Sequence, residues 1–329
     1  MAQIRGATVC VTGGAGFVGS HIVEQALEAG AARVIVIDDL VRGRLENLEA
    51  ARRAGHVDVI IGDIVDEALV DRAIDGSDIV FHQAALRITH CAAEPRRAIA
   101  VMINGTQNVL DACVRHGVKK VLAASSASVY GEPRYLPVDE EAPFDNRTLY
   151  GATKIANEQM LRAYNEMFGL RYLALRPFNV YGPRMDIHGA YTEVLIRWLD
   201  RLQSGEPPVI FGDGLQTLDF VHVRDVARAY ILAAQSDLDD RVYNVGSGEE
   251  TSLRDLCRML CEEAGHPDIE PRFEPARRVN PIATRRRAAI DRIRADLGWT
   301  PEIGLREGLR ELVRWHARAK AALALGGTR

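Results

Sequence analysis

Thr12-Gly13-Gly14-Ala15-Gly16-Phe17-Val18-Gly19 is the stretch on which the fold of this chain turns. It follows a short apolar run, Ala7–Thr12, and opens a helical pattern, Phe17–Ala29. It reads either as Gly14-x-Gly16-x-x-Gly19 or as Gly13-x-x-Gly16-x-x-Gly19. In both registers the glycines permit a tight turn and a close backbone approach. A helix that starts there aims its first N–H groups at a pyrophosphate. A glycine-rich turn alone says little. A strand before it, a helix after it and a carboxylate ending the next strand make it a dinucleotide fingerprint. That carboxylate is Asp38, in Val36-Ile37-Asp38-Asp39. It can accept hydrogen bonds from the adenosine ribose and repel a 2′-phosphate, so NAD is expected rather than NADP. Arg42 and Arg44 are expected in a solvated loop. Gly62-Asp63-Ile64 ends the third strand, where Asp63 either meets the adenine or caps a helix.

Strand and helix alternate outward from this turn. Arg33–Ile37, Val57–Ile61, Asp78–His82 and Lys119–Ala124 read as strands; Leu45–Arg53, Glu67–Ile74 and a long Glu94–His116 read as helices. The strands are rich in Val and Ile and apolar on both faces, as in a parallel sheet covered by helices. Helix Leu149–Phe168 and strand Leu170–Leu175 extend the pattern, which predicts an α/β fold with a doubly wound parallel sheet. After Arg176 prolines and glycines break the rhythm. The expected division is a dinucleotide domain over 1–176 with a returning segment over about 219–247, and a smaller mixed α/β substrate domain over 177–218 and 248–329. Within the return, Asp219–Ala234 is expected as helix and Val242–Val245 as strand. A last amphipathic helix runs from Leu305 to about Ala322.

Net charge of −4 gives no electrostatic case for nucleic acid or an anionic membrane. No apolar run approaches a membrane span, and the start lacks a signal-peptide pattern, so a cytoplasmic protein is expected. The five cysteines, at 10, 91, 113, 257 and 261, are expected as reduced buried thiols with no metal site.

The chemistry centres on Tyr150-Gly151-Ala152-Thr153-Lys154. Four residues apart on a helix, phenol and ammonium share a face. Free tyrosine, with a pKa of about 10, is too weak a base at neutral pH. A nearby ammonium and a positive nicotinamide ring favour the phenolate. Lys154 is positioned to supply the first and to hold ribose hydroxyls. Ser125 and Ser126 end the fifth strand, at the carboxyl edge where such folds bind ligands, and a hydroxyl there can relay the proton to Tyr150. The alternative for these serines is a helix cap or turn.

Taken in order, these motifs resemble the extended short-chain dehydrogenase/reductase family, and within it the UDP-glucose 4-epimerase-like nucleotide-sugar enzymes. The resemblance runs from about Ala7 to Trp299. It adds His82-Gln83-Ala84-Ala85, Asn104-Gly105-Thr106, Ser125–Gly131, and Arg176-Pro177-Phe178-Asn179-Val180-Tyr181-Gly182-Pro183-Arg184 to the motifs above. It implies Ser126, Tyr150 and Lys154 as catalytic residues. It implies NAD contacts at Gly13, Gly16, Phe17, Val18, Gly19, Asp38, Asp39, Asp63, Ile64, Ala84, Ala85, Arg87, Asn104, Ser125 and Pro177. It implies sugar-nucleotide contacts at Ser126, Tyr150, Asn179 and Arg184. Leu218 replaces an arginine that the family commonly sets before Asp219-Phe220 to meet the diphosphate. The substitute cation is expected in the arginine-dense stretch, with Arg278 first and Arg277 and Arg285–Arg287 behind it.

The resemblance also bears on the reaction. Its 4,6-dehydratases carry an Asp-Glu pair where this chain has Ala127-Ser128, and its decarboxylases a glutamate in the same stretch. Asp186, after Arg184, is expected to repel a sugar carboxylate. C4 epimerisation of a neutral UDP-hexose or N-acetylhexosamine through a 4-keto intermediate fits best. A related oxidoreductase or dehydratase and a non-catalytic dinucleotide-binding regulator are the alternatives. Relatives pair two long helices per subunit into a four-helix bundle. Here that implies a homodimer through Met102, Val109, Ala112 and Cys113 on one helix and Ala156, Met160 and Ala163 on the other.

Overall fold

The computed structural model describes residues 3–188, 193–275 and 284–326. Its strands are β1 (Thr8–Thr12), β2 (Arg33–Asp38), β3 (Val57–Ile61), β4 (Ile79–His82), β5 (Lys120–Ala124) and β6 (Tyr172–Pro177). Later in the chain come the short β7 (Asn179–Tyr181), β8 (Val209–Phe211), β9 (Thr217–Leu218) and β10 (Phe220–His222), then β11 (Arg241–Val245), β12 (Thr251–Ser252) and β13 (Arg272–Glu274). Seven of them form one sheet in the order β11-β6-β5-β4-β1-β2-β3. Every pairing in it is parallel. Consecutive residues such as Val9, Cys10 and Val11, or Val34 to Ile37, are fully or almost fully buried, because helices cover both faces. The strand order reverses between β1 and β4, which opens a crevice at their carboxyl ends. This is the doubly wound sheet that the sequence predicts.

Each face of the sheet has its own core, and a third core joins the helices Val194–Gln203, Leu253–Glu263 and Leu305–Gly326 around Trp198, Leu256 and Leu309. Ala288, Ile290, Ile293 and Trp299, which the sequence reading assigns to the smaller domain, pack into the first core beside the sheet. The Trp299 indole N–H donates to the Asp225 carbonyl at 2.9 Å and fixes that return.

Two expected helices differ. Phe220–His222 is a strand paired in parallel with Asn179–Tyr181, and the helix behind it covers only Val223–Gln235, capped by His222. Aromatic and β-branched residues suit that strand. The long helix Glu94–His116 is divided into Pro95–Ile99, a π-helical segment Ala100–Gly105, and Thr106–Arg115. A π turn holds an extra residue and so rotates the next turns relative to an α-helical register. Met102, Val109, Ala112 and Cys113 accordingly lie buried under the sheet rather than on a dimer face. Ala163 is exposed, and Met160 packs against the core. The five cysteines are buried free thiols. No helix among the described residues is long and apolar enough to cross a membrane.

Candidate active site

The crevice between β1 and β4 deepens into a cavity of about 1250 Å³. Pockets for single drug-sized ligands measure roughly 300–1,000 Å³, so this one has room for a dinucleotide and a second molecule. Its lining gathers Gly13, Gly16, Phe17, Val18, Gly19, Asp38, Asp39, Asp63, Ile64, Ala84, Ala85, Ser125, Ser126, Tyr150, Lys154, Pro177, Asn179 and Arg184. Two predicted contacts, Arg87 and Asn104, are absent from that lining. Asn104 lies in the π-helical segment, one residue before its end at Gly105, and is exposed. Met102 is buried instead, and its Sδ accepts from the Leu86 N–H at 3.2 Å. Arg87 pairs with Glu193 from the opposite wall.

At the dinucleotide end the turn is packed to its limit. Gly13 has φ +69°, and a methyl group on it would stand 2.8 Å from the Ala84 nitrogen. The helix Phe17–Glu28 has no side-chain cap at Gly16, which leaves its first N–H groups free for a phosphate. Asp38 is buried; its Oδ2 accepts from the Ala15 N–H at 3.0 Å and its Oδ1 from the Leu40 N–H at 2.9 Å. A carboxylate has about four acceptor positions, so ribose hydroxyls can still be taken up. Burial pushes the Asp38 pKa up, and the backbone donors pull it back. Asp63 is no helix cap: Asp66 caps Glu67–Ile74, while Asp63 lines the cavity, accepts from the Val65 N–H and pairs with Arg97. These features fit a bound NAD.

Beneath the turn His82 is buried and its pKa lowered to about 3, so it is neutral. The Thr106 hydroxyl donates to the Met102 carbonyl and therefore accepts from His82 Nε2–H, 3.0 Å away. His82 Nδ1 then accepts from the Thr12 hydroxyl at 2.8 Å, and Thr12 Oγ1 accepts from the Ala84 N–H at 3.2 Å. The chain of bonds fixes the tautomer.

Arg42 and Arg44 do not sit in a solvated loop. Both line the cavity; Arg42 pairs with Asp186 at 3.1 Å and Arg44 donates to the carbonyls of Leu40 and Gly43. Asp186 therefore faces the cavity as one half of an ion pair with Arg42 rather than as a lone carboxylate.

At the other end the helix Leu149–Phe168 starts at a Thr148 cap and carries Tyr150 and Lys154. The Ser126 hydroxyl lies near enough to the Tyr150 phenol to lower its pKa, and it caps the 3₁₀ turn Ala127–Tyr130, accepting from the Ser128 N–H. The cap is thus one of the two expected roles of that serine. Burial raises the phenol pKa, while Ser126 and Arg87 lower it. The expected lowering by Lys154 does not prevail, because its Nζ stands 5.9 Å from the ring centroid and donates to the Ala124 carbonyl at 2.5 Å. Burial pushes Lys154 itself down to about 8.

The diphosphate cation remains open among the predicted arginines. Leu218 lines the cavity; Arg285 pairs with Glu250, and Arg286 donates towards the Gly131 carbonyl, neither lining it. Arg277 and Arg278 lie outside the described residues. Arg184 is the predicted contact that does line the cavity, held by Glu24. Trp315, Ala319, Ala322 and Leu323 of the last helix also line it, a wall the sequence reading missed.

Among known proteins, the chain is 37% identical over 308 residues to the UDP-glucose 4-epimerase of Mycolicibacterium smegmatis, covering 92% of this chain and 96% of that one. It superposes on the UDP-N-acetylglucosamine 4-epimerase of Methanobrevibacter ruminantium M1, solved in complex with UDP-N-acetylmuramic acid. The TM-score is 0.89 with 34% identity, over 96% of this chain and 99% of that one. A dTDP-glucose 4,6-dehydratase of an Actinoplanes species is 31% identical over 319 residues, covering 94% and 97%. Residues 9–246 match the model of the NAD dependent epimerase/dehydratase family. The fingerprint turn, Asp38, the Ser126–Tyr150–Lys154 cluster and these matches agree, and the chain belongs to that NAD-dependent family.

Proposed function

We propose that this protein epimerises a nucleotide-diphosphate sugar at C4, with a UDP-hexose or its N-acetylated counterpart as substrate. The observation that carries the reading is that Tyr150, Ser126 and the buried Lys154 line one cavity at the carboxyl edge of the sheet. When bound, NAD supplies the hydride acceptor and donor. Tyr150 takes the O4 proton and later returns it, Ser126 shares that proton, and Lys154 keeps positive charge beside the phenol. The cavity walls leave the 4-keto sugar space to turn before it is reduced on the other face. Ala127 and Ser128 beside Ser126 offer no acid for the elimination of water, which favours epimerisation over the dehydratase chemistry of some relatives. The proposal retains Asn179 and Arg184 as sugar-nucleotide contacts and Arg278 as the first candidate for the diphosphate. It also retains a homodimer, testable by light scattering, through the exposed Ile99, Ala163, Met167 and Phe168 rather than the buried residues of the first helix.

A second reading is favoured by one contact. Asp186 is paired with Arg42, which weakens the repulsion that a lone carboxylate there would exert on a sugar carrying a carboxylate. One experiment decides between them: UDP-, dTDP- and GDP-sugars, UDP-glucuronate included, are incubated with the NAD-loaded protein and the products read by NMR. A C4 epimer of a neutral UDP-sugar is expected, and Tyr150→Phe should abolish it while keeping NAD. Net NADH production or loss of water would overturn the reading.

A further inference from the structure

The helix Leu149–Phe168 repeats a polar group every four residues, at Tyr150, Lys154 and Glu158, so the three share one face. The mechanism uses the first two. The third is a carboxylate whose side chain is 4% exposed. Glu158 Oε1 accepts from the Ser125 hydroxyl and from Arg176 Nε at 2.8 Å, and Oε2 accepts from Arg176 Nη2 at 2.7 Å. Arg176 Nη1 donates to the Tyr130 hydroxyl at 2.8 Å, which donates to Asn244 Oδ1 at 2.6 Å. One carboxylate therefore ties the catalytic helix to the end of β5 and to β6, and through Arg176 to β11.

We propose that Glu158 is a positioning residue of the site: its carboxylate keeps Lys154 protonated and holds Ser125, with Arg176 compensating its burial. The proposal rests on the reading of Tyr150 and Lys154 as reacting-site residues. The hydrogen-bond partner of Lys154 is the Ala124 carbonyl, a dipole without net charge. Facing the ammonium are Tyr150 and Glu158 from its own helix, Cys91 from the helix Ile88–Ala93, and His82 from β4. Burial keeps the Cys91 thiol and the His82 ring neutral near pH 7. Glu158 is the anion among them. Around Glu158 itself stand Arg176 from β6 and, about a second cavity of about 390 Å³, Glu140, Glu141, Arg162, Asp240, Arg241 and Arg292. Against burial, Cys91 and then Glu158 raise the Lys154 pKa, and of these two Glu158 is the group that is ionised near pH 7.

The test reads Lys154 directly. Lys119, Lys120, Lys154 and Lys320 are the chain's lysines, so ¹³Cε-lysine NMR resolves their titrations, with Lys154→Met giving the assignment. Glu158→Gln alone strands a buried guanidinium, so Glu158→Gln/Arg176→Met, neutral on both sides, serves as the second variant. The wild-type ammonium should titrate near 8. In the double variant its midpoint should fall by about one pH unit or more, the effect of losing an opposite charge one helical turn away. The high-pH limb of turnover should fall with it. A Lys154 midpoint unchanged in the folded double variant would reduce Glu158 to a packing role and overturn the proposal. The titration needs no sugar, so that result would leave the epimerase reading standing, and a substrate panel without epimer would leave the titration standing.

Discussion

Replacing Gly19 with alanine tests whether the fingerprint turn must stay as tightly closed as the structure shows. A methyl group at Gly19 would stand 2.1 Å from the Gly13 carbonyl oxygen and 2.9 Å from Gly14 Cα. Ordinary contact begins at 3.4 Å, so the helix or the turn must retreat by about 1.3 Å (3.4 minus 2.1). The contact is with backbone, which cannot rotate away as a side chain can. Overpacking of this kind costs about 1–3 kcal/mol. The free protein can relax by displacing the turn, but NAD needs the turn in its original shape, so the cost falls on binding. At 1.4 kcal/mol per tenfold, NAD affinity should drop roughly 5- to 150-fold. The assay is calorimetric titration of cofactor-free protein with NAD, alongside thermal unfolding. Gly304→Ala is the control, since its methyl would meet nothing within 4 Å. If Gly19→Ala binds NAD as tightly as wild type, the close approach of turn and helix is not what shapes the site.

Asp38→Ala should narrow the preference for NAD over NADP in the same calorimetric assay, and equal affinities in the wild-type protein would show that Arg42 or Arg44 reads the ribose instead. A plot of kcat/KM against pH should fall as pH rises through about 8, because Lys154 loses its charge there rather than near its ordinary 10.5; a limb that stays near 10.5 would refute that. Asp219 accepts from the N–H groups of Ser247, Gly248 and Ala288 and from the Ser247 hydroxyl. The Ala288 N–H is the buried one of these donors, and a buried donor left unpaired costs about 1–3 kcal/mol, so Asp219→Ala should lose about that much in urea unfolding.

Where the sequence was legible, one local rule decided each element. Val36-Ile37-Asp38 had to be a buried strand ending in a carboxylate, and Tyr150 with Lys154 had to share a helical face. The misreadings have a common cause in contacts that no window of sequence contains. Phe220–His222 becomes a strand because Asn179–Tyr181 lies alongside it. Asn104 turns outward because a π-helical segment shifts its register. Arg42 leaves solvent because Asp186, 144 residues later, meets it. Glu158 was within reach: continuing the four-residue spacing from Tyr150 and Lys154 leads to it. Only the buried Arg176 opposite explains why a carboxylate can stay there.

The same burial that builds the site works against its chemistry. Taking Tyr150 and Lys154 out of water favours phenol over phenolate and amine over ammonium, so burial drives both towards neutral forms. The base is therefore set by the charges around it more than by its own residue type. Ser126 and then Arg87 lower the phenol, Cys91 and then Glu158 hold up the ammonium, and neither Arg87 nor Glu158 belongs to the three catalytic residues that the resemblance names. Each is in turn balanced by a partner on a different element, Glu193 for Arg87 and Arg176 for Glu158. A substitution at Arg176, which does not line the cavity, should therefore reach the ammonium without touching substrate. That makes the pH dependence of turnover, more than its maximum, the measurement in which the fold's contribution to the chemistry is visible.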